Sequence, residues 1–169
     1  MALSLRPIAE SDCDAVVDLL ADPAISQMAV TIQFPYTAET FREKFDRMRV
    51  PTEQGRVAEY ILLHDERTIG SCCYFSLSEG EPFYVGYWLG REFWGKGFAS
   101  EALLLLLAKM QARAIPLPVT AHVAVDNIAS QRVLEKAGFR QVRQEVFFVE
   151  RIGRDIDEYV MVLEAWPGS

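Results

Sequence analysis

An α/β fold built on one mixed sheet is what this sequence predicts, and three observations predict it. β-type blocks run from Arg56 to Leu89, a leucine-rich helical run follows glycines at 95 and 97, and a glycine-closed helix separates two later strand segments. The 169 residues suit one domain and half of them are hydrophobic, so a single domain over 1–169 is expected.

Taken in order, Leu3, Leu5 and Ile8 alternate around Ser4 and Arg6 as a short opening strand. Ser11 with Asp14 three residues on resembles a capping arrangement, and Ala15, Val16, Leu19 and Leu20 follow helical spacing. Pro23 to Pro35 holds two prolines among apolar residues and reads as a loop beside a binding site, after which Thr37 opens a helix through Phe41, Phe45 and Met48. Tyr60 to Leu63 and Ile69 to Phe75 flank the polar turn His64-Asp65-Glu66-Arg67 and predict a hairpin; a third strand, Phe83 to Leu89, ends at Gly90.

Ala102 to Ala108, with five consecutive leucines, predicts a helix that is apolar all round and buried on several sides, ended by Pro116 and Pro118. Val119 to Val125 is a strand, Asn127 to Ala137 a helix with Gly138 at its C-terminal cap, and Phe139 to Val149 with Ile156 to Leu163 two last strands. The two helices of the second half are crossover connections.

Composition excludes several function classes. With 17 basic against 24 acidic residues the net charge is −7, which repels a phosphate backbone, so no nucleic acid is expected as partner. No apolar run approaches the roughly 20 residues that span a bilayer, and Met1 to Pro7 lacks the pattern of a secretion signal; no membrane and a cytoplasmic location are expected. Cys72 and Cys73 are adjacent and Cys13 is far away, which is neither a disulfide framework nor metal-ligand spacing, and no metal is expected.

The stretch Tyr87-Trp88-Leu89-Gly90-Arg91-Glu92-Phe93-Trp94-Gly95-Lys96-Gly97-Phe98-Ala99-Ser100-Glu101-Ala102 reads as strand, glycine turn and helix start. Gly95 and Gly97 let backbone amides come close to a ligand, while the helix that follows aims free N–H groups and its positive dipole end at the same point. Such a site suits a diphosphate, with Lys96 adding a positive charge. Neither a Walker loop nor the G-x-G-x-x-G dinucleotide spacing is present.

Together with Leu5-Arg6-Pro7, Gly86-Tyr87-Trp88-Leu89 and Asp126-Asn127-Ile128-Ala129-Ser130 through Gly138-Phe139, this stretch resembles the GNAT superfamily of N-acetyltransferases, in particular its RimJ/RimL-like branch. The family's pyrophosphate loop, Q/R-x-x-G-x-G/A, lands on Trp94 to Ala99, with Trp94 where a polar residue is usual. The resemblance implies a GNAT fold: a mixed, mostly antiparallel sheet of about seven strands flanked by about four helices, splayed at the acyl-CoA site. It implies acetyl-CoA as co-substrate and a primary amine as acceptor, either a peptide N-terminus or a small molecule, attacked directly within a ternary complex by a monomer or homodimer. The implied cofactor contacts fall on Trp88, Leu89, Trp94, Gly95, Lys96, Gly97, Phe98, Ala99 and Ser100, with Asn127 and Ser130 at the thioester end.

Aminolysis of a thioester needs a route for the proton of an ammonium whose pKa is about 10.4, a donor for the oxyanion and a proton for the departing sulfur. Ser130 matches the family position of the acid; its other reading is a local cap, as is that of Asn127. Many relatives carry a glutamate two residues before the glycine of Gly-Tyr-Trp, where this chain has Tyr84, a residue that passes protons through water but is a poor base. The base is left open between Glu59 and ordered water. Tyr87 and His122 read as structural and Tyr84 has a packing reading too; Phe34, Tyr36, Phe41 and Phe45 read as pocket wall or core, and Asp155, Asp157 and Glu158 as a solvated turn rather than a contact to a cationic acceptor. The competing reading is a GNAT-fold module that holds acyl-CoA as a sensor and catalyses little.

Overall fold

In the computed structural model, which describes residues 2–169, the strands are β1 (Ser4–Pro7), β2 (Val57–His64), β3 (Arg67–Ser76), β4 (Phe83–Leu89), β5 (Val119–Ala124), β6 (Arg140–Val149) and β7 (Arg154–Leu163). The helices are α1 (Cys13–Leu20), α2 (Pro23–Met28), α3 (Ala38–Glu53), α4 (Phe98–Ala112) and α5 (Ile128–Lys136). One sheet joins all seven strands in the order β1-β2-β3-β4-β5-β7-β6. Every neighbouring pair is antiparallel except β4–β5, which is parallel and pairs only at Phe83–Val119 and Tyr84–Thr120. Beyond Tyr84 the two strands run on without pairing, so the sheet opens there into a gap.

The pleat sorts side chains onto two faces. Tyr60, Cys72, Tyr74, Val85, Leu89, Ala121 and Val123 join Leu103, Leu106, Leu107 and Met110 of α4 and Leu134 of α5 in the main core. Each fully buried leucine of α4 contributes about 2 kcal/mol of hydrophobic stabilisation. On the other face Ile61 and Trp88 pack with Val16, Leu20, Ile25 and Phe41 of α1, α2 and α3. The leucine run is therefore not buried all round: Leu104 is exposed where α4 turns away from the sheet. Nor do the prolines end α4, which stops at Ala112, with Ala114 at φ 56 breaking the helical path before Pro116.

Two further expectations are corrected. Ser11 and Asp14 do not cap α1; the buried Asp12 accepts from the Ala9 amide at 2.8 Å and takes a two-pronged bond from Arg6 at 2.6 and 2.8 Å. The loop predicted from Pro23 to Pro35 starts instead as α2, because Asp22 accepts from the Ala24 amide as N-cap and Pro23 occupies the first turn, where its missing N–H costs nothing. α2 adds a helix to the four expected. The Thr37 start of the following helix is observed, with Thr37 Oγ1 accepting from the Thr40 amide.

Candidate active site

The gap is lined on one side by β4 and on the other by β5 and the start of α5. Gly90 donates its amide to the Ile69 carbonyl on β3, so by alternation the backbone groups of Leu89, Tyr87 and Val85 face the open side. The Leu89 carbonyl is already engaged: Trp94 Nε1 donates to it at 2.9 Å, fixing the turn that follows β4. Trp94 is thus a brace rather than a free side chain, and Trp88 points to the α1–α3 face, away from α4. The backbone groups free for a ligand arm here belong to Tyr87 and Val85, which spacing alone did not single out.

Past the brace, Gly95 and Gly97 sit at φ 72 and 82, and a Cβ on either meets nothing within 4 Å. Gly97 is the N-cap of α4 without any side-chain cap, so the first amides of the helix, from Phe98, Ala99 and Ser100, lack intrahelical acceptors. The Glu101 amide makes the first such bond, to the Gly97 carbonyl. Amides without intrahelical acceptors at the positive end of a 15-residue helix suit a diphosphate. Lys96 lies beside it with its ammonium over the Phe93 ring at 5.9 Å.

Across the gap, Asn127 caps α5 by accepting from the Ser130 amide at 3.2 Å. Gln131 braces the same end by donating to the carbonyls of Ala124 and Val125. Ser130 Oγ lies 2.7 Å from the Tyr87 hydroxyl, a bond that joins β4 to the first turn of α5 across the gap. Burial pushes the Tyr87 phenol up to about 12, although its bond to Ser130 opposes the shift, so it stays protonated at neutral pH. Tyr87 is therefore more than a packing residue.

On the opposite face, Tyr84 marks the last paired register. It stacks on Phe75 with ring centroids 5.4 Å apart and lies 5.6 Å from the His122 ring. Glu158 is in β7, not in a turn, and its Oε1 lies 2.6 Å from His122 Nδ1. Glu145 on β6 stands directly opposite Glu158, and ligating atoms of His122, Glu145 and Glu158 lie within 4.8 Å of one another. Glu59 is occupied elsewhere: Lys44 Nζ donates to it at 3.0 Å and Ser71 Oγ at 2.9 Å. Burial pulls the Lys44 ammonium down, but the charge and hydrogen bond of Glu59 prevail and hold it above its ordinary value. Phe41 and Phe45 stack as core, whereas Phe34 lines an open groove with Val30, Phe147 and Phe148.

The family model described as "Acetyltransferase (GNAT) domain" matches residues 2–140. The chain is a GNAT acetyltransferase. Its acetyl donor is acetyl-CoA, the co-substrate of that family. It is 26% identical over 164 residues, 95% of this chain and 92% of the other, to the "Uncharacterized N-acetyltransferase p20" of Bacillus licheniformis. Among solved structures, RimJ of Mycobacterium smegmatis in complex with CoA-disulfide superposes with TM-score 0.84 at 19% identity, covering 96% of this chain and 82% of that one. Spermidine N-acetyltransferase from Vibrio cholerae, with CoA and spermine, gives 0.80 at 20% identity over 96% and 95%. The acetyltransferase thus has the GNAT fold, and among its described residues no helix is long and apolar enough to cross a membrane.

Proposed function

We propose that this acetyltransferase moves the acetyl group of acetyl-CoA to the primary amine of a peptide N-terminus or small molecule by direct attack in a ternary complex. The observation that carries the proposal is the Tyr87–Ser130 hydrogen bond across the open end of β4–β5, next to the glycine turn that fits a diphosphate.

Amides of Gly97 to Ser100 would hold the diphosphate, and the open edge of β4 at Val85 and Tyr87 would take the amide-rich arm as an added strand. That places the thioester end beside Ser130. The hydroxyl of Ser130, with Tyr87 donating to it, protonates the departing sulfur, while a backbone N–H at the edge of the gap steadies the carbonyl oxygen. Tyr84, at the point where the strands part, borders the acceptor and orders water.

The acceptor side favours a peptide N-terminus over a polyamine. Glu59 is paired with Lys44, Glu158 with His122 and Glu145 with Arg143, and the groove between Phe34 and Phe147 sets Val30, Phe148 and Val149 beside the polar Gln33, Glu150 and Arg151. A polyamine wants unpaired carboxylates; a peptide's first side chains want such a groove. Similar proteins carry names of both acceptor classes, the spermidine enzyme and the "Putative ribosomal N-acetyltransferase YdaF" of Bacillus subtilis.

The test is release of free thiol from acetyl-CoA with a peptide bearing a free α-amine and, separately, with spermidine. Turnover with the peptide at least tenfold faster is expected. Binding of CoA by calorimetry with no thiol release from either amine supports the sensor reading instead, for which Tyr84 in the glutamate's place is the favouring observation.

A further inference from the structure

Tyr84, His122, Glu158 and Glu145 form a line across one face of the sheet, running from the last paired register of β4–β5 out to β6. That face is opposite to the one carrying Tyr87 and Ser130, so the two sets stand on either side of the gap. Glu158 engages only Nδ1 of His122, which fixes the ring and leaves Nε2 free. The His122 side chain keeps 32% of its surface and Glu158 only 13%, so the carboxylate is held and the imidazole has a path to solvent. An imidazole whose one nitrogen is oriented by a carboxylate, with the other free, is the arrangement general bases use. No other imidazole borders the gap: His64, the second histidine, lies against Phe98 at the far end of β2.

We infer that His122, oriented by Glu158, is the base that takes the proton of the acceptor's ammonium, the role left open where Tyr84 replaces a glutamate. The inference rests on the acetyl-transfer reading above. The balance is simple. One N–H proton of the ammonium goes to Nε2 of His122 and on to water. The freed nitrogen pair bonds the carbonyl carbon and the carbon–sulfur bond breaks. Ser130 delivers a proton to the sulfur, and the second N–H proton lost by the nitrogen replaces it. The products are an amide, a thiol and one proton in solution.

The charged and titratable groups that face His122 are Glu158 from β7, Glu145 and Arg143 from β6, and Tyr84 from β4. The hydrogen bond to Glu158 lifts the imidazole above its ordinary value; burial works against it, the charges of Glu158 and Glu145 add to it, and Arg143 subtracts. A base so raised is freed as pH increases, so kcat/KM falls on the acid side as pH drops through the His122 value.

The experiment measures kcat/KM against pH with the free-α-amine peptide and with spermidine, and CoA affinity by calorimetry, for the parent, His122→Gln and Glu158→Gln. His122→Gln should lose about 100-fold in kcat/KM near neutrality. Its CoA dissociation constant should stay within about twofold, and the rate should recover about tenfold per pH unit as free amine accumulates. Glu158→Gln, which removes the raising charge, should move the acid limb to lower pH with a smaller loss. The same shift should appear in the His122 proton resonance, identified among the two histidines by its absence in His122→Gln. Rates for His122→Gln within threefold of the parent and an unchanged acid limb would overturn the base assignment alone. A parent that binds CoA but acetylates neither amine overturns the acetyl-transfer reading, and the base with it. If His122→Gln does not fold, an acid limb that Glu158→Gln leaves in place overturns the inference equally.

Discussion

The two sides of the β4–β5 gap are made in different ways. The proposed cofactor side is mostly backbone: Gly95, Gly97 and the first amides of α4 come from one short stretch, and what they require is small residues and a positive φ. The proposed acceptor side is all side chains, brought together from β4, β5, β6 and β7, with Tyr84 and Glu158 separated by 74 residues (158 − 84). A site of amides tolerates change in any side chain that stays out of its way. A site of side chains is reset by a single substitution, which is how one fold accommodates different acceptors.

The sharpest way to break this contrast is at the cofactor side. Gly97→Val places a β-branched side chain at φ 82 and in the space where the diphosphate would lie. Calorimetry should show CoA affinity reduced about 100-fold, a cost of some 3 kcal/mol, with the acceptor KM little changed. Smaller in effect, Ser130→Ala should lower kcat about 30-fold and leave CoA affinity within about twofold, since the hydroxyl acts on the sulfur and not on the diphosphate. Smaller again, Tyr87→Phe removes only the donor to Ser130 and should cost about fivefold in kcat, near 1 kcal/mol. Tyr87→Phe as damaging as Ser130→Ala would make the tyrosine the proton donor itself.

A last prediction lies outside both sides and calibrates them. The Arg6 guanidinium beside Asp12 holds that carboxyl below its ordinary value, against the opposing pull of burial. A depressed carboxylate contributes stability that is complete above its unfolded value of about 3.9 and is lost as pH falls through the depressed one. Asp12→Asn should therefore lower unfolding free energy by about 2 kcal/mol at neutral pH, a difference that denaturant titration should find shrinking below about pH 4. Its kcat should follow the folded fraction.

The strands and the long helices were legible because their signals are periodic: Phe83 to Leu89, Thr37 as a cap and the leucine run all appear where the pattern puts them. α2 was missed although Asp22-Pro23 carried a cap-and-first-turn signal, because Pro23 invited a loop reading. Asp12 was missed because its partner, Arg6, comes from the neighbouring strand rather than from its own helix. Tyr87 was set aside as packing, and no local pattern could have told that its hydroxyl reaches Ser130, 43 residues on.

By itself the sequence determined the order of the strands and longer helices, the glycine turn before α4 and the family, since those depend on periodicity, backbone freedom and short contiguous motifs. The partners of Glu59, Tyr87 and His122 were decided only by tertiary structure. Each partnership depends on which strands lie side by side and on which face a residue falls, and a one-residue slip in register would send every one of these side chains to the other side of the sheet.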